Sequence, residues 1–353
     1  MTLTALGLPT VSRPVTPSDD IPRSGPLVDT FGRVATDLRV SLTDRCNLRC
    51  TYCMPAEGLD WLPGEQLLRP DELARLLRIA VTSLGITSIR FTGGEPLLVK
   101  HLEQVVAAAA ALRPRPELAM TTNGVGLARR AQALADAGLD RVNVSLDTVD
   151  AARFAAITRR NRLDDVKAGL AAAQRAGLGP IKVNAVLDAA TGRRDVVDLL
   201  KFCVEHGYQL RVIEQMPLDA DHHWRRADVL TADDILHALG EHFRLSPDPA
   251  PRGSAPAELW RVDGGPATVG VIASVSRAFC GACDRTRLTA DGQIRNCLFA
   301  ATESDLRVLL RDGSDDRAIE MVWRTAMWAK AAGHGINDPD FVQPDRPMSA
   351  IGG

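Results

Sequence analysis

Six apolar, strand-like runs alternate with segments of helical period, and that alternation restricts the chain to a parallel α/β architecture. The runs are Leu38–Leu42, Ser88–Phe91, Leu118–Thr122, Arg141–Ser145, Ile181–Val186 and Gln209–Glu214. Between them lie Asp71–Leu84, His101–Leu112, Leu127–Ala137, Arg162–Ala176 and Asp195–His206, all with helix-period apolar spacing. Pro70 opens the first helix, and Gly85, Gly138, Gly177 and Gly207 follow helix ends, the expected punctuation. Strands joined through helices pair in parallel, with right-handed crossovers. An open doubly wound sheet and a barrel both satisfy this rule. Six units that curve without closing would leave one side open to a large molecule.

The rhythm breaks near Leu218. Ser246–Pro256 reads as a loop or disordered insert because Pro247, Pro249, Pro251 and Gly253 fall within it. Leu259–Val262 and Thr268–Ile272 read as short strands of a second unit, and Asp291-Gly292 as a hairpin turn. Helices are expected over Glu303–Leu310 and Asp315–Ala332. The resulting division is a flexible arm over 1–32, a barrel over 33–225 and a C-terminal domain over 226–353 that ends in Gly352-Gly353.

Six of the seven cysteines fall into two triplets. Cys46, Cys50 and Cys53 follow the first strand with spacing C-x3-C-x2-C. Cys280 and Cys283 form C-x2-C, and Cys297 follows them. Three thiolates can hold three irons of a cubane cluster and leave the fourth iron open to a small molecule. Structural zinc wants four ligands, and neither triplet has a fourth close by. A distant His222, His223 or His334 keeps zinc open as a reading of the second triplet. Cys203 stands alone in a helical apolar pattern and reads as a small buried hydrophobe.

The odd cysteine number and the grouping argue against a disulfide framework and for metal in a reducing compartment. Lys plus Arg number 42 and Asp plus Glu 44, a formal net charge of −2. That balance supplies no general attraction for nucleic acid or an acidic membrane. The N-terminus lacks a basic start with an apolar run, and no stretch reaches the roughly 18 apolar residues of a membrane span. These features lead to the expectation of a cytoplasmic protein, with no nucleic acid and no membrane among its partners.

The first triplet, with Tyr52 just before its last cysteine, resembles the cluster loop of the radical S-adenosylmethionine superfamily. Thr92-Gly93-Gly94-Glu95-Pro96 resembles that superfamily's glycine-rich segment, and Asn143–Asp147 and Glu214–Pro217 resemble its ribose and adenine contacts. Cys280-Gly281-Ala282-Cys283-Asp284-Arg285-Thr286-Arg287, Cys297 and the terminal Gly352-Gly353 narrow the resemblance to the GTP 3′,8-cyclase family, which opens molybdenum cofactor (molybdopterin) biosynthesis. The similarity runs from about Phe31 to the last residue.

The resemblance implies a partial (β/α)6, TIM-like barrel with a C-terminal extension carrying a second Fe–S cluster. It implies two [4Fe–4S] clusters, on Cys46, Cys50 and Cys53 and on Cys280, Cys283 and Cys297. It places S-adenosylmethionine against Tyr52, Gly94, Ser145 and Met216. It places GTP against Arg39, Arg90, Thr121, Lys182, Arg285 and Arg287, and gives Arg285, Arg287, Gly352 and Gly353 parts in catalysis. The implied reaction is removal of the ribose 3′ hydrogen of GTP and C3′–C8 bond formation, a lyase reaction giving 3′,8-cyclo-7,8-dihydro-GTP. The implied partners are an electron donor such as flavodoxin or ferredoxin, the downstream cyclic pyranopterin monophosphate synthase, and a second copy of the chain in a homodimer.

The residues add two arguments of their own. No G-x4-G-K-[ST] loop exists, so phosphates must be held by separate side chains. Arg39 and Arg90 sit inside apolar strands, where an unpaired charge is costly. Asp219, Asp221, His222 and His223 read as a polar linker, Trp323 and Trp328 as packing residues, and Asp147 and Glu95 as supports for ligand-binding groups. Two further readings are a radical enzyme that modifies a peptide, with the second triplet as an auxiliary cluster, and a zinc-stapled binding module.

Overall fold

The computed structural model describes residues 20–352. Eight parallel strands form its centre: β1 (Asp37–Ser41), β2 (Ser88–Thr92), β3 (Glu117–Thr122), β4 (Arg141–Ser145), β5 (Lys182–Val186), β6 (Gln209–Ile213), β7 (Thr268–Ile272) and β8 (Arg285–Leu288). Their spatial order is β8-β1-β2-β3-β4-β5-β6-β7. The first six strand expectations and Thr268–Ile272 are thus found within a residue or two, the expected Leu259–Val262 is present as Glu258–Val262, and Arg285–Leu288 was not read from the sequence. Helices α1 (Pro70–Thr82), α2 (Leu102–Ala110), α3 (Leu127–Asp136), α4 (Leu163–Arg175) and α5 (Gly192–His206) cross between the first six strands.

Each helix buries one apolar stripe. In α1 the buried Leu73, Leu76, Leu77 and Ala80 recur at three- and four-residue spacing, which puts them on one face. They meet fully buried strand residues such as Leu38, Ile89, Phe91 and Leu118 in one continuous core. Removing each such side chain from water stabilises the fold by about 1.5–3 kcal/mol. Strands buried on both faces read as apolar runs, which is why they were visible in the sequence.

The expected second unit does not stand apart. β7 pairs in parallel with β6, and β8 pairs in parallel with β1. The C-terminal segment therefore lengthens the six-stranded sheet at both edges, through pairings between residues more than fifty and two hundred positions apart. Antiparallel strands continue each edge, Glu258–Val262 and Leu245–Pro247 beyond β7, and Gln293–Arg295 and Ser304–Asp305 beyond β8. The outermost two strands are not paired with each other, so the barrel stays open. Leu288 pairs with Ile294 across the Asp291-Gly292 turn, the hairpin the sequence signals.

Two boundaries differ from expectation. Residues 1–19 of the expected flexible arm lie outside the described residues. From Asp20 onward the chain is packed: Leu27 is fully buried, Leu27–Val28 pairs with Val34–Ala35, and the Arg324 guanidinium donates to the Gly25 carbonyl at 2.8 Å. The Pro-rich insert is not free either, since Pro247 pairs with Trp260 and the Arg252 guanidinium stacks 5.0 Å from the Phe279 ring. Helices Ala151–Thr158, Ala232–Gly240 and Met348–Ile351 were not read from the sequence. Two are capped by side chains, with Asp150 accepting from Arg153 N and Thr231 from Asp234 N, as N-cap residues do.

Glu214, at the end of β6, joins the barrel to the C-terminal segment. It is fully buried and accepts from the backbone N–H groups of Ala232, Val275 and Ser276, each at 2.8 Å, and from the Ser276 hydroxyl. Among the described residues no helix is long and apolar enough to cross a membrane.

Candidate active site

A cavity of about 360 Å³ opens at the C-terminal ends of the parallel strands, the end where such folds place their chemistry. All six triplet cysteines line it. So do Tyr52, Gly94, Ser145 and Met216, and Arg39, Arg90, Thr121, Arg285 and Arg287. The two triplets, more than two hundred residues apart in sequence, face one space because β8 lies beside β1.

The cluster loop after β1 is fixed by the segment after β2. Gly94 N donates to the Thr43 carbonyl at 2.6 Å, and Glu95 N to the Arg45 carbonyl at 2.7 Å. A Cβ on Gly94 would lie 2.3 Å from the Arg45 oxygen, and one on Gly93 would lie 2.5 Å from the Thr43 oxygen. The missing Cβ atoms have a structural reason: the cluster-loop backbone passes through that space. Gly93 also has a φ of 146°, in the region that favours glycine.

Glu95 is fully buried and supports the next wall. It accepts from the Thr122 hydroxyl at 2.6 Å, Asn123 N at 2.7 Å and Leu97 N at 2.9 Å. Burial nevertheless pushes its carboxyl up to about 7. The Asn123 amide so placed lies 3.7 Å from Cys46 Sγ. Asp147 accepts from the Tyr52 hydroxyl at 2.8 Å and Val186 N at 2.9 Å, which holds the ring of the cluster loop. Burial raises Asp147 to about 6. Both acids thus act as supports, as expected.

The first triplet sits in surroundings that disfavour bare thiolates. Burial raises all three thiols, Cys53 to about 12, and the Asp147 carboxylate adds to the rise at Cys50. Deprotonating three neighbouring sulfurs here requires a bound cation, which a metal centre supplies. The second triplet differs. Burial raises Cys283, but Arg285 and Lys330 overcome it and hold that thiol at about 7. Among the described residues no three His, Cys, Asp or Glu side chains close on a single ion position.

The cations are unevenly satisfied. Arg39 is paired with Asp37 through two hydrogen bonds of 3.0 Å, so it is not the unpaired charge the sequence suggested. Arg90 is: its Nε is buried without a partner, and burial with the Arg39 charge holds its pKa well below the usual range. Lys182 does not line the cavity wall. It lies on β5 two residues below Asn184, which does, and therefore on the same strand face one layer deeper. Burial and the nearby Arg141, Arg211 and Arg90 lower its pKa to about 8. Arg211 is also buried and, among the described residues, donates only to the Leu210 carbonyl and Gln209 Oε1. Among the described residues no carboxylate pairs with Arg90, Lys182, Arg211 or Arg287. The Asn184 Oδ1 on the same wall is buried without a partner as well.

The chain end enters this site. Met348 N donates to the Leu218 carbonyl at 3.1 Å, the fully buried Ile351 packs with Leu218 and Leu298, and Ser349 lies on the cavity wall. The buried Arg287 donates to the Gly352 carbonyl at 2.7 Å. Gly352 has a φ of 87°, and a Cβ there would lie 2.5 Å from Thr92 Oγ1 and 2.9 Å from Ser41 Cβ. Gly353 lies outside the described residues. Three contributors were missed in the sequence. Arg33 donates at 2.8 Å to the Cys280 carbonyl and so ties the N-terminal segment to the second cysteine loop. Lys330 and Asn123 reach cysteine sulfur. None belongs to a motif, and only the fold brings them near the triplets. Asp219 is buried and accepts from its own loop at His223 N, as a linker residue would, and Trp323 is a packing residue that donates to Thr286 Oγ1 at 3.1 Å.

Comparison with known proteins agrees with this arrangement. Residues 40–203 match the profile of the Radical SAM superfamily, and residues 208–336 match Molybdenum Cofactor Synthesis C. A protein of Mycobacterium sp. (strain KMS) named GTP 3′,8-cyclase is 76% identical over 353 residues, covering all of both chains. GTP 3′,8-cyclase 2 of Mycobacterium tuberculosis (strain ATCC 25618 / H37Rv) is 74% identical over 360 residues, again covering all of both. The crystal structure of Streptococcus suis SuiB shares the fold, with a TM-score of 0.57, 14% identity, and coverage of 85% of this chain and 67% of that one. Membership of the superfamily brings with it a [4Fe–4S] cluster and S-adenosylmethionine, and the half-buried triplet beside the Gly94 loop is a donor set that fits them. The chain belongs to the GTP 3′,8-cyclase family of radical S-adenosylmethionine proteins.

Proposed function

We propose that the chain converts GTP to 3′,8-cyclo-7,8-dihydro-GTP in this cavity, with a four-iron cluster on each triplet. The observation that carries the reading is a set of cations without carboxylate partners among the described residues, Arg211 and Arg287 buried and Arg90 and Lys182 half-buried, on and just below the cavity wall. Unpaired buried charge is strongly unfavourable. A triphosphate would neutralise it, and guanidinium groups match phosphate oxygens through paired hydrogen bonds.

When bound, the first cluster and S-adenosylmethionine supply a one-electron reduction that generates a carbon radical able to take a ribose hydrogen. The residues of the chain do the rest by placement. Tyr52, held by Asp147, and the Gly94 loop fix the cluster loop against β2. Ser145 and Met216 flank the space above it. The deep cations anchor phosphate, which leaves the ribose between the triplets and the base towards Cys280, Cys283 and Cys297. Such two-ended anchoring limits which hydrogen faces the radical, and small misplacements are costly in rate. Arg287 holds the chain end at the seam between β1 and β2. An electron donor, a downstream enzyme of the same pathway and a second copy of the chain complete the proposed setting, in the cytoplasm.

Lys182 provides the test. Bound phosphate stabilises its charged form and so raises its pKa above about 8, the value in the free protein. GTP affinity is then full below pH 8 and falls as pH rises through it, because binding must also bring in a proton. Titration calorimetry of the anaerobic protein with GTP should show this fall, and Lys182→Met should remove it and weaken binding about tenfold or more, the worth of a hydrogen bond to a charged group. GTP binding that is absent at every pH would contradict the assignment of substrate.

A further inference from the structure

Lys330 follows the helix Asp316–Trp328 and is only 3% exposed. Its ammonium donates to the Arg285 carbonyl at 2.8 Å, the Cys283 carbonyl at 3.2 Å and Cys283 Sγ at 3.3 Å. All three protons are thereby used. Among the described residues it has no carboxylate partner, so the anionic group within its reach is the Cys283 sulfur when that sulfur is a thiolate. A buried ammonium is costly unless it is paired. Lys330 does not line the cavity, whereas Arg285, whose Nε lies 3.4 Å from the same sulfur, does. One sulfur is thus held by two cations, one from the cavity side and one from the buried side. At the first triplet, the resolved donor to Cys46 Sγ is the neutral Asn123 amide.

We propose that Lys330 is a positioning residue for the second cluster, fixing Cys283 as a thiolate ligand and raising that cluster's reduction potential above that of the first. The inference rests on the reading that the second triplet holds a four-iron cluster. The physical basis is general: positive charge and hydrogen bonds at the ligating sulfurs stabilise the reduced, more negative form. The same ammonium also pins the backbone on both sides of Asp284, so it sets the direction in which Cys283 and Arg285 face the cavity. The two clusters then differ electrostatically by design of the fold, and a small molecule bound between them meets a more positive end and a more negative one.

The test is an EPR-monitored redox titration of the full chain, reconstituted without oxygen, as wild type, Lys330→Met and Lys330→Arg. A background with Cys46, Cys50 and Cys53 all changed to Ala isolates the second cluster. Lys330→Met should move the second cluster's midpoint to more negative potential by at least a tenfold change in the reduction equilibrium, 59 mV for one electron. Lys330→Arg should retain most of the wild-type value, and the first cluster's midpoint should not move. Loss of the second cluster in Lys330→Met but not in Lys330→Arg would also support the assignment. An unmoved second midpoint in Lys330→Met, or loss of the cluster in both variants alike, would overturn it. A triple-alanine background without any four-iron signal would instead remove the second cluster itself, and the proposal with it.

Discussion

Alanine at Cys46, Cys50 and Cys53 is expected to abolish formation of 5′-deoxyadenosine and of cyclised nucleotide together, while alanine at Cys280, Cys283 and Cys297 abolishes only the second. The reason is the asymmetry of the site. Tyr52, Ser145, Met216 and the Gly94 loop line the cavity together with the first triplet, and those are the groups proposed to hold S-adenosylmethionine. The second triplet faces the same cavity from β8, beside Arg285 and Arg287. Each triple variant should keep about half the wild-type iron, because each removes one four-iron centre. The measurement is iron content with chromatography of both products after anaerobic turnover. Full cyclisation without the second triplet would refute its role.

Gly352→Ala is the second large effect. Its carbonyl is fixed by Arg287 at 2.7 Å, and its φ of 87° is strained for any residue with a side chain. A methyl group would also have to pass within 2.5 Å of Thr92 Oγ1 and 2.9 Å of Ser41 Cβ. Those neighbours lie on β1 and β2, in the buried barrel, and have no room to withdraw. The chain end must therefore leave its seat. Cyclisation should fall about a hundredfold, the scale of a 1 Å misplacement in a reacting site. Cleavage of S-adenosylmethionine should persist, since the nearest neighbours of Gly352 are Ser41, Thr92 and Arg287 and not the first-triplet cysteines, Tyr52, Ser145 or Met216. Arg287→Met should show the same separation, because it removes the other half of the contact. A Gly352→Ala protein that cyclises GTP at the wild-type rate would show that the seat of the tail has no part in the reaction.

The parts of this site that chemistry marks in a sequence were legible there. Cysteine triplets need no neighbour to be noticed, and strands buried on both faces read as apolar runs. The pairings that bring the triplets together were not legible. Nothing local in Thr268–Ile272 or Arg285–Leu288 says that one will join β6 and the other β1, because parallel pairing across long separations leaves no periodic trace. The same blindness hid Lys330 and Arg33, single cations that reach sulfur or carbonyl atoms of the second cysteine loop from distant segments. Arg39 was misjudged for a different reason. Its counter-ion, Asp37, is two residues away on the same strand face, and that spacing could have been read. Gly93 and Gly94 entered through the resemblance, and the structure adds that their missing side chains make way for the cluster loop. Lys182 came from the resemblance, which gives its strand and not its depth, and it lies one layer below the wall residue Asn184.

The central claim is that a radical made over the first triplet takes hydrogen from the ribose of a nucleotide anchored between the two. GTP carrying deuterium at C3′, turned over without oxygen, tests this directly by mass spectrometry of the deoxyadenosine formed. The account predicts deuterium in 5′-deoxyadenosine and a cyclised nucleotide in equal amount. Deoxyadenosine free of deuterium, from protein holding both clusters and bound GTP, would contradict it.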